Sequence, residues 1–430
     1  MPARRRTGAQ VSVIIPTYNR AELLRGSLAA LAAQQPPDGG GFEVIVADDG
    51  SADETRSVVR DFEHRLDLGY WFQEDRGFRA AAARNAGARL ASAPVLVFLD
   101  AGVRPGAGFV RAHLAAHAAP PAGQTRAVVG YTYGYRPDAD PLPRSATGLP
   151  RTPEEIVRRH GHQIGFQDVR HLAFERFGFD LGTAVVPWQW FWSLNCSVRA
   201  ADFWEVGGFD EDFRSWGGED LDLGYRLHRR GTAFTVSRVA WALDTPHERS
   251  VEDDLSSGAE NVLMMARKHP EPVTELLWAW FAEPRDHFEI SHDWNVEDEY
   301  LLVLRAAEQA RGSVVTNELA ALRELPAGTR VAVFGCGPVF PEGLPSAELF
   351  DFDGSLAGPS PSGGRVRHAL GVRTPLADQS VDHVLVTSRL SGVWDRWGNW
   401  ILDEAHRIGR HVDTRWLAAD KVRTATEALL

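Results

Sequence analysis

Apolar and polar positions alternate in blocks along the first hundred residues. Val11–Ile15 is an apolar run closed by Pro16 and the polar Thr17-Tyr18-Asn19-Arg20, and the amphipathic segment AELLRGSLAALAAQ follows it. A second strand pattern, Glu43–Ala47, ends in Asp48-Asp49-Gly50-Ser51. A third helical segment, GFRAAAARNAGARLA, begins at Gly77, and PVLVFLDAG then ends a strand at Asp100. Strand, polar loop and helix repeat, which predicts a parallel sheet with functional groups at the C-terminal ends of its strands.

Further along, the run WGGEDLDLGYRLHRR sets Trp216-Gly217-Gly218 directly before Glu219-Asp220, at the predicted start of a helix reaching to about Arg230. Two glycines let a backbone approach a ligand closely, because neither carries a side chain to block it. Carboxylates in the first turn face favourable N–H dipoles, so they stay ionised and can take a proton from an alcohol. Successive helical positions differ by about 100°, so only one of the pair can face the acceptor squarely. Asp222 is the third acid of that turn and the weakest of the three for the role.

Taken in order, these motifs resemble an inverting family 2 glycosyltransferase over residues 11 to about 250. The Gly-Gly-Phe-Asp-Glu-Asp-Phe and Trp-Gly-Gly-Glu-Asp runs are similar to galactosyltransferase and chondroitin-polymerase catalytic domains. The resemblance implies an α/β, type A glycosyltransferase fold built on a Rossmann-like mixed sheet. It implies transfer of a sugar from a nucleotide-diphosphate sugar to the hydroxyl of an acceptor. By resemblance Asp220 is the base and Glu219 orients the acceptor on Trp216, Gly217 and Gly218. Donor contacts are expected from Pro16, Thr17, Tyr18, Asp48 and Asp49. Arg79 and Arg84 are expected to meet the diphosphate, since guanidinium matches phosphate geometry. Asn195 is expected to hydrogen-bond the donor sugar.

Metal chemistry is where the chain departs from that pattern. The family carries Asp-x-Asp after its fourth strand, and here the text is FLDAGV, so Asp100 takes the first place and Gly102 the second. His247 lies 27 residues beyond Asp220, where the resemblance implies a metal-binding histidine. Mg2+ or Mn2+ on Asp100 and His247, completed by diphosphate oxygens and waters, is the expectation. The alternative is a metal-independent enzyme whose arginines neutralise the leaving group.

Between Tyr135 and Val186 the chain is rich in Pro, Arg and His and reads as a long insertion serving as a lid or binding loop. It ends in VPWQWFWSLN, where Trp188, Trp190 and Trp192 alternate; on a strand they would share one face. Trp190 is therefore expected to stack on the acceptor, with core packing as the other reading.

Residues 251–325 read mainly as helices that brace the catalytic domain or form an oligomer contact. The last part, 326–430, reads as a small Rossmann-like domain. RVAVFGCGP is a strand with a glycine turn, Asp351 and Asp353 end another strand, and TPLADQSVDHVLVTSRLSG resembles a region of S-adenosylmethionine-dependent methyltransferases. Pro338 breaks that pattern, so a degenerate module is the expectation. Three functions follow: a glycosyltransferase on a soluble glycan, small molecule or peptide; a bifunctional glycosyltransferase–methyltransferase; and a non-catalytic nucleotide-sugar-binding scaffold.

Composition narrows this further. A net charge of −12 over 430 residues argues against a general nucleic-acid binder. The apolar runs are strand-sized, short of the ~20 residues a membrane span needs. The basic start MPARRRTGAQ, with no apolar stretch after it, reads as a frayed tail rather than a targeting signal. Only two cysteines, Cys196 and Cys336, are present, which suits a reducing, cytoplasmic setting.

Overall fold

The computed structural model describes residues 8–35, 40–118, 124–135, 151–247, 251–282, 295–360 and 364–417, with backbone alone over 251–255. Two compact units form, one ending at Asn261 and the other beginning at Val262.

The first unit is built on eight strands: β1 (Ala9–Thr17), β2 (Gly41–Asp48), β3 (Leu68–Phe72), β4 (Val95–Leu99), β5 (Val103–Pro105), β6 (Arg126–Tyr133), β7 (Asn195–Arg199) and β8 (Ala233–Asp244), in the order β3-β2-β1-β4-β7-β6-β8-β5. β1 runs parallel to β2 and β4, and β2 parallel to β3; β7 is antiparallel to both β4 and β6. The sheet is therefore mixed, with a parallel half made by the N-terminal repeats. Val11, Val13, Ile14 and Ile15 of β1 and all five residues of β4 are buried. Such continuous apolar strands suit a sheet covered on both faces. Helices α1 (Ala21–Ala32), α2 (Thr55–Phe62), α3 (Ala80–Leu90) and α4 (Phe109–Ala118) connect the strands. Leu24, Leu28 and Leu31 recur on one face of α1 and pack with Val13, Ile15 and Val97.

Arg151–Val186 is ordered rather than the open excursion its composition predicts. Helices α5 (Pro153–His160) and α6 (His171–Arg176) lie there, and Ile156, Phe166, Phe174 and Leu181 are buried. A capping box between Thr152 and Glu155, with Pro153 in the first turn, starts α5. The polar composition hid four well-spaced apolar anchors. The Pro-rich part, 136–150, lies outside the described residues. Three more helices complete the unit: α7 (Ala200–Glu205), α8 (Glu219–Arg229) and α9 (Val251–Lys268), whose C-terminal turns belong to the second unit.

The second unit carries helices α10 (Pro272–Ala282), α11 (Val296–Ala310), α12 (Thr316–Ala320) and α13 (Ser391–Ile408). Its strands are β9 (Val331–Phe334), β10 (Ala347–Asp351), β11 (Gly358–Pro359), β12 (Arg365–His368), β13 (Val381–Val386) and β14 (Gly409–Asp413). They line up as β11-β12-β10-β9-β13-β14, all parallel except β11. Strand order reverses at β9, which makes this an open Rossmann-like sheet with a crevice at the C-terminal ends of β9 and β13.

Candidate active site

In the first unit the C-terminal ends of β1, β2 and β4 release Thr17, Asp48-Asp49 and Asp100 at one edge of the sheet. β7 is antiparallel, so its first residues arrive at the same edge, and the Asp100 N–H donates to the Leu194 carbonyl at 3.2 Å.

The two adjacent aspartates divide their work. Asp48 is 1% exposed and its carboxylate is consumed by the turn it opens. Its Oδ1 accepts from the N–H groups of Gly50 (3.1 Å) and Ser51 (2.8 Å), and its Oδ2 from the Tyr70 hydroxyl (2.6 Å). The expectation that Asp48 contacts the donor is corrected: it is an Asx-turn residue. Asp49 accepts from Gln73 Nε2 and from the Arg79 N–H at 2.7 Å, and pairs with Arg79 Nη2 at 3.2 Å. Burial pushes its pKa up, against the hydrogen bonds of Gln73 and Arg79. Pro16 is half-buried, and the buried Thr17 Oγ1 has no partner among the described residues. Tyr18 is exposed and its hydroxyl donates to Asp75 Oδ2 at 2.8 Å.

The Arg84 guanidinium does not stand free for a phosphate. It lies between two acids, with Nη2 2.9 Å from Asp100 Oδ1 and Nη1 2.8 Å from Glu219 Oε1, and only 5% of its side chain is exposed. Burial opposes its charge, yet Asp100 and Glu219 outweigh that and hold its pKa above the usual range. Arg84 is therefore a bridge from α3 to the fourth strand end and to the start of α8. Sequence spacing alone placed it on the correct helix but could not show which acids it would meet.

Glu219 and Asp220 point in different directions, as helical geometry requires. Glu219 turns inward to Arg84, while its Oε2 is buried without a partner among the described residues. Asp220 is half-buried; its Oδ2 accepts from the Ser193 N–H at 3.0 Å, with Ser193 Oγ at 3.4 Å, and its Oδ1 accepts from the Leu221 N–H at 2.8 Å. Burial, reinforced by the Glu219 charge, pushes its pKa up to about 7. A carboxylate so raised, with one open face, suits proton abstraction near neutral pH. Asp222 is fully buried and paired with Arg226 Nη2 at 2.6 Å, so it stands behind the site. Ser193 is a partner that the sequence did not single out, since nothing local marks a serine after a tryptophan.

Before α8, Gly217 (φ 89°) and Gly218 (φ 92°) take left-handed conformations that side chains resist. A Cβ on Gly218 would lie 3.0 Å from the Phe213 ring and 3.2 Å from Asn261 Cβ. Trp216, just ahead, is half-buried. The other aromatic expectation is corrected: Pro187–Trp190 is a 3-10 turn, not a strand, and Trp188 and Trp190 are 1% and 7% exposed. Trp190 packs edge-on against Phe174, which leaves no broad indole face for a sugar. Pro187 at the start of the turn explains why alternation did not mean a strand. Asn195 is likewise corrected. It is fully buried, its Oδ1 accepts from His113 Nε2 (3.0 Å) and its Nδ2 donates to the carbonyls of Tyr131 (3.3 Å) and Ala240 (3.0 Å), bracing the sheet.

The metal question turns on the Asp100–Gly102 bend. Thr245 donates its N–H to the Gly102 carbonyl at 3.1 Å, so β5 and β8 carry His247 to within two residues of that bend. His247 is half-buried with Nδ1 3.0 Å from the Thr245 carbonyl. Asp100 keeps 38% of its side chain exposed. Among the described residues no group of three or more His, Cys, Asp or Glu could hold a metal ion. Asp100 and His247 are two ligand types suited to Mg2+ or Mn2+, and two residues do not make a closed protein cage.

The crevice of the second unit is closed from within. Arg389, which follows β13, has a fully buried side chain; its Nε lies 2.9 Å from Asp351 Oδ2 and its Nη2 3.4 Å from Asp353 Oδ2. It also donates to the carbonyls of Ala310 and Ser313, and the Gly337 N–H donates to Asp351 Oδ2 at 2.8 Å. The acids that would meet a cofactor ribose are spent on this guanidinium. That arrangement does not fit S-adenosylmethionine.

The chain belongs to glycosyl transferase family 2. That family's model matches residues 12–174, and the model for the N-terminal domain of galactosyltransferase matches residues 172–250. The chain is 48% identical over 428 residues to a validoxylamine A glucosyltransferase of Streptomyces hygroscopicus subsp. limoneus, covering 95% of this chain and 91% of the relative. It is 47% identical over 418 residues to a protein of the same description from S. hygroscopicus subsp. jinggangensis, covering 94% and 96%. A chondroitin synthase of Escherichia coli is 31% identical over 275 residues, 60% of this chain and 38% of that one. The chain is thus a glycosyltransferase using a nucleotide-sugar donor. No helix among the described residues is long and apolar enough to cross a membrane.

Proposed function

We propose that the chain is a glucosyltransferase that moves glucose, with inversion, from a nucleoside-diphosphate glucose to a hydroxyl of an acceptor of the validoxylamine A kind. One observation carries this reading: the match to the validoxylamine A glucosyltransferases runs nearly the length of both chains, through the second unit as well as the first. Relatives that share only the catalytic region do not show that reach.

Asp220 takes the proton of the acceptor hydroxyl as its oxygen attacks the anomeric carbon, and the sugar–diphosphate bond breaks on the opposite face. The Ser193 N–H holds Oδ2 of Asp220, so one lobe of the carboxylate is fixed while the open face meets the acceptor. Glu219 Oε2, buried and without a partner among the described residues, is suited to accept a second acceptor hydroxyl and so orient it. Asp49 and Thr17 face the nucleoside, with Tyr18 at the rim and Arg79 turned to the acid rather than out to the phosphates. Asp100 and His247 would hold Mn2+ or Mg2+; when bound, the ion supplies positive charge to the departing diphosphate. The enzyme works as a soluble, cytoplasmic protein in this reading.

The test is a donor panel (UDP-, GDP- and TDP-glucose against the matching galactose and N-acetylglucosamine donors) with validoxylamine A, with and without Mn2+, and with the anomeric configuration of the product read by NMR. Glucosylated validoxylamine A with inverted configuration from one donor is expected. Turnover of another sugar alone, or retention, overturns the reading. The bifunctional alternative is disfavoured by Arg389, and the scaffold alternative by the intact Glu219–Asp220 pair.

A further inference from the structure

We infer that Asn261, on α9, is a positioning residue for transfer: it pins the Trp216-Gly217-Gly218 ledge to α9 and thereby sets the acceptor's height over Asp220. The inference rests on the reading of that ledge as the floor of the acceptor site. Two successive left-handed glycines turn the carbonyls of residues 215–217 toward one point. Asn261 sits at that point, 6% exposed, and its Nδ2 donates to the carbonyls of Ser215 (3.1 Å), Trp216 (3.2 Å) and Gly217 (2.7 Å). Its Oδ1 accepts from Ser215 Oγ at 3.2 Å. One amide therefore meets four polar groups of the loop, its two N–H groups shared among the three carbonyls.

Neighbours on the same helix complete the clamp. Ser257 Oγ donates to the Trp216 carbonyl at 2.9 Å, four residues before Asn261 and so on the same face. A Cβ on Gly217 would lie 3.4 Å from Gly258 Cα, so small residues on both sides permit the close approach. Glycine takes left-handed and right-handed backbone about equally readily, so outside contacts must choose between them. With the amide removed, the ledge keeps its glycines but loses the contacts that choose this conformation. Asn261 does not touch the reacting atoms; it acts through Trp216–Gly218 and the first turn of α8.

The experiment compares Asn261→Asp and Asn261→Ala with the wild type, reading acceptor KM, donor KM and acceptor-free donor hydrolysis separately. Asp matches Asn in shape but turns an oxygen toward three carbonyls. About a tenfold or larger rise in acceptor KM is expected in both variants, the scale of a lost hydrogen-bond cluster. Donor KM and hydrolysis stay within about twofold; a merely destabilised fold would instead lower every rate together and leave the acceptor KM unchanged. Ser257→Ala, a milder change, follows the same split with a smaller rise and serves if Asn261→Asp fails to fold. An unchanged acceptor KM in folded Asn261→Asp, while Asp220→Asn is inactive, overturns the inference alone. Retained turnover in Asp220→Asn overturns the reading beneath it.

Discussion

Two crevices in this molecule look alike in outline and differ in how their charges are balanced. Both open at the C-terminal ends of parallel strands, and both gather acids beside an arginine. In the first unit Arg84 pairs with Asp100 and Glu219, but Asp220 stands beside them with a raised pKa, Glu219 Oε2 has no partner among the described residues, and Asp100 is partly exposed. In the second, Arg389 pairs with Asp351 and Asp353, neither of which is exposed, and uses its remaining donors on backbone carbonyls. An acid count would not separate the two sites. What separates them is unfinished polar chemistry: a catalytic crevice leaves buried groups for the substrate to complete, whereas a structural one completes them itself.

The largest effect expected is on Asp220. Asp220→Asn should lower transfer by about 10²–10⁴-fold, the usual contribution of a positioned base. In the wild type the rate should fall as pH drops through about 7, because the base must be ionised. The stability sign is opposite. A carboxyl whose folded pKa lies above its unfolded one favours the fold below the unfolded pKa, and that advantage is lost as pH rises through about 7. The Asn variant should therefore melt above the wild type at pH 8 and level with it near pH 4. Equal midpoints at pH 8 would mean that Asp220 is no more costly to ionise than a surface acid.

Arg389 gives the converse case. Arg389→Ala leaves Asp351 and Asp353 buried without their cation and should cost about 3–5 kcal/mol in urea unfolding. Exchanging the whole cluster, Arg389→Met with Asp351→Asn and Asp353→Asn, should recover most of that loss. The wild-type chain should give no calorimetric signal with S-adenosylmethionine even at millimolar concentration. Binding there would show that the second crevice is unfinished after all and restore the bifunctional reading.

Much of this contrast was legible along the chain, and the part that was not has a common cause. Strand ends, the α8 start and the acids themselves were readable because local periodicity and Gly-Gly-Glu-Asp fix them within a few residues. Partner choice was not. Asp48 and Asp49 are adjacent and alike in sequence, yet Tyr70, 22 residues away, claims one and Arg79, 30 away, the other. Arg84 meets Glu219 across 135 positions. Asn195 and Trp190 read as ligand contacts because their types suit sugars, but the sheet and Phe174 buried them. Asn261 carried no signal, since a single Asn in an amphipathic helix is ordinary until the ledge is folded against it.

Gly102 gives the smallest effect and the finest distinction. If the missing second aspartate were a simple loss, Gly102→Asp would restore a metal ligand and tighten Mn2+. The backbone argues otherwise. Gly102 has φ 100°, its N–H is held by Ser27 Oγ at 3.0 Å, and a Cβ there would meet Leu23 carbons at 3.4 and 3.5 Å. Asp at such a φ is strained by about 1–3 kcal/mol whatever the space, since the Cβ itself would make only ordinary contact with Leu23. The bend has thus been rebuilt around glycine, with Ser27 and Thr245 as its fixed hydrogen-bond partners. Gly102→Asp should lower the melting midpoint and leave the Mn2+ dependence of turnover unchanged within about twofold. A variant that gained metal affinity without losing stability would show the opposite: a bend still shaped for two carboxylates, and a first crevice even less complete than Asp100 and His247 make it.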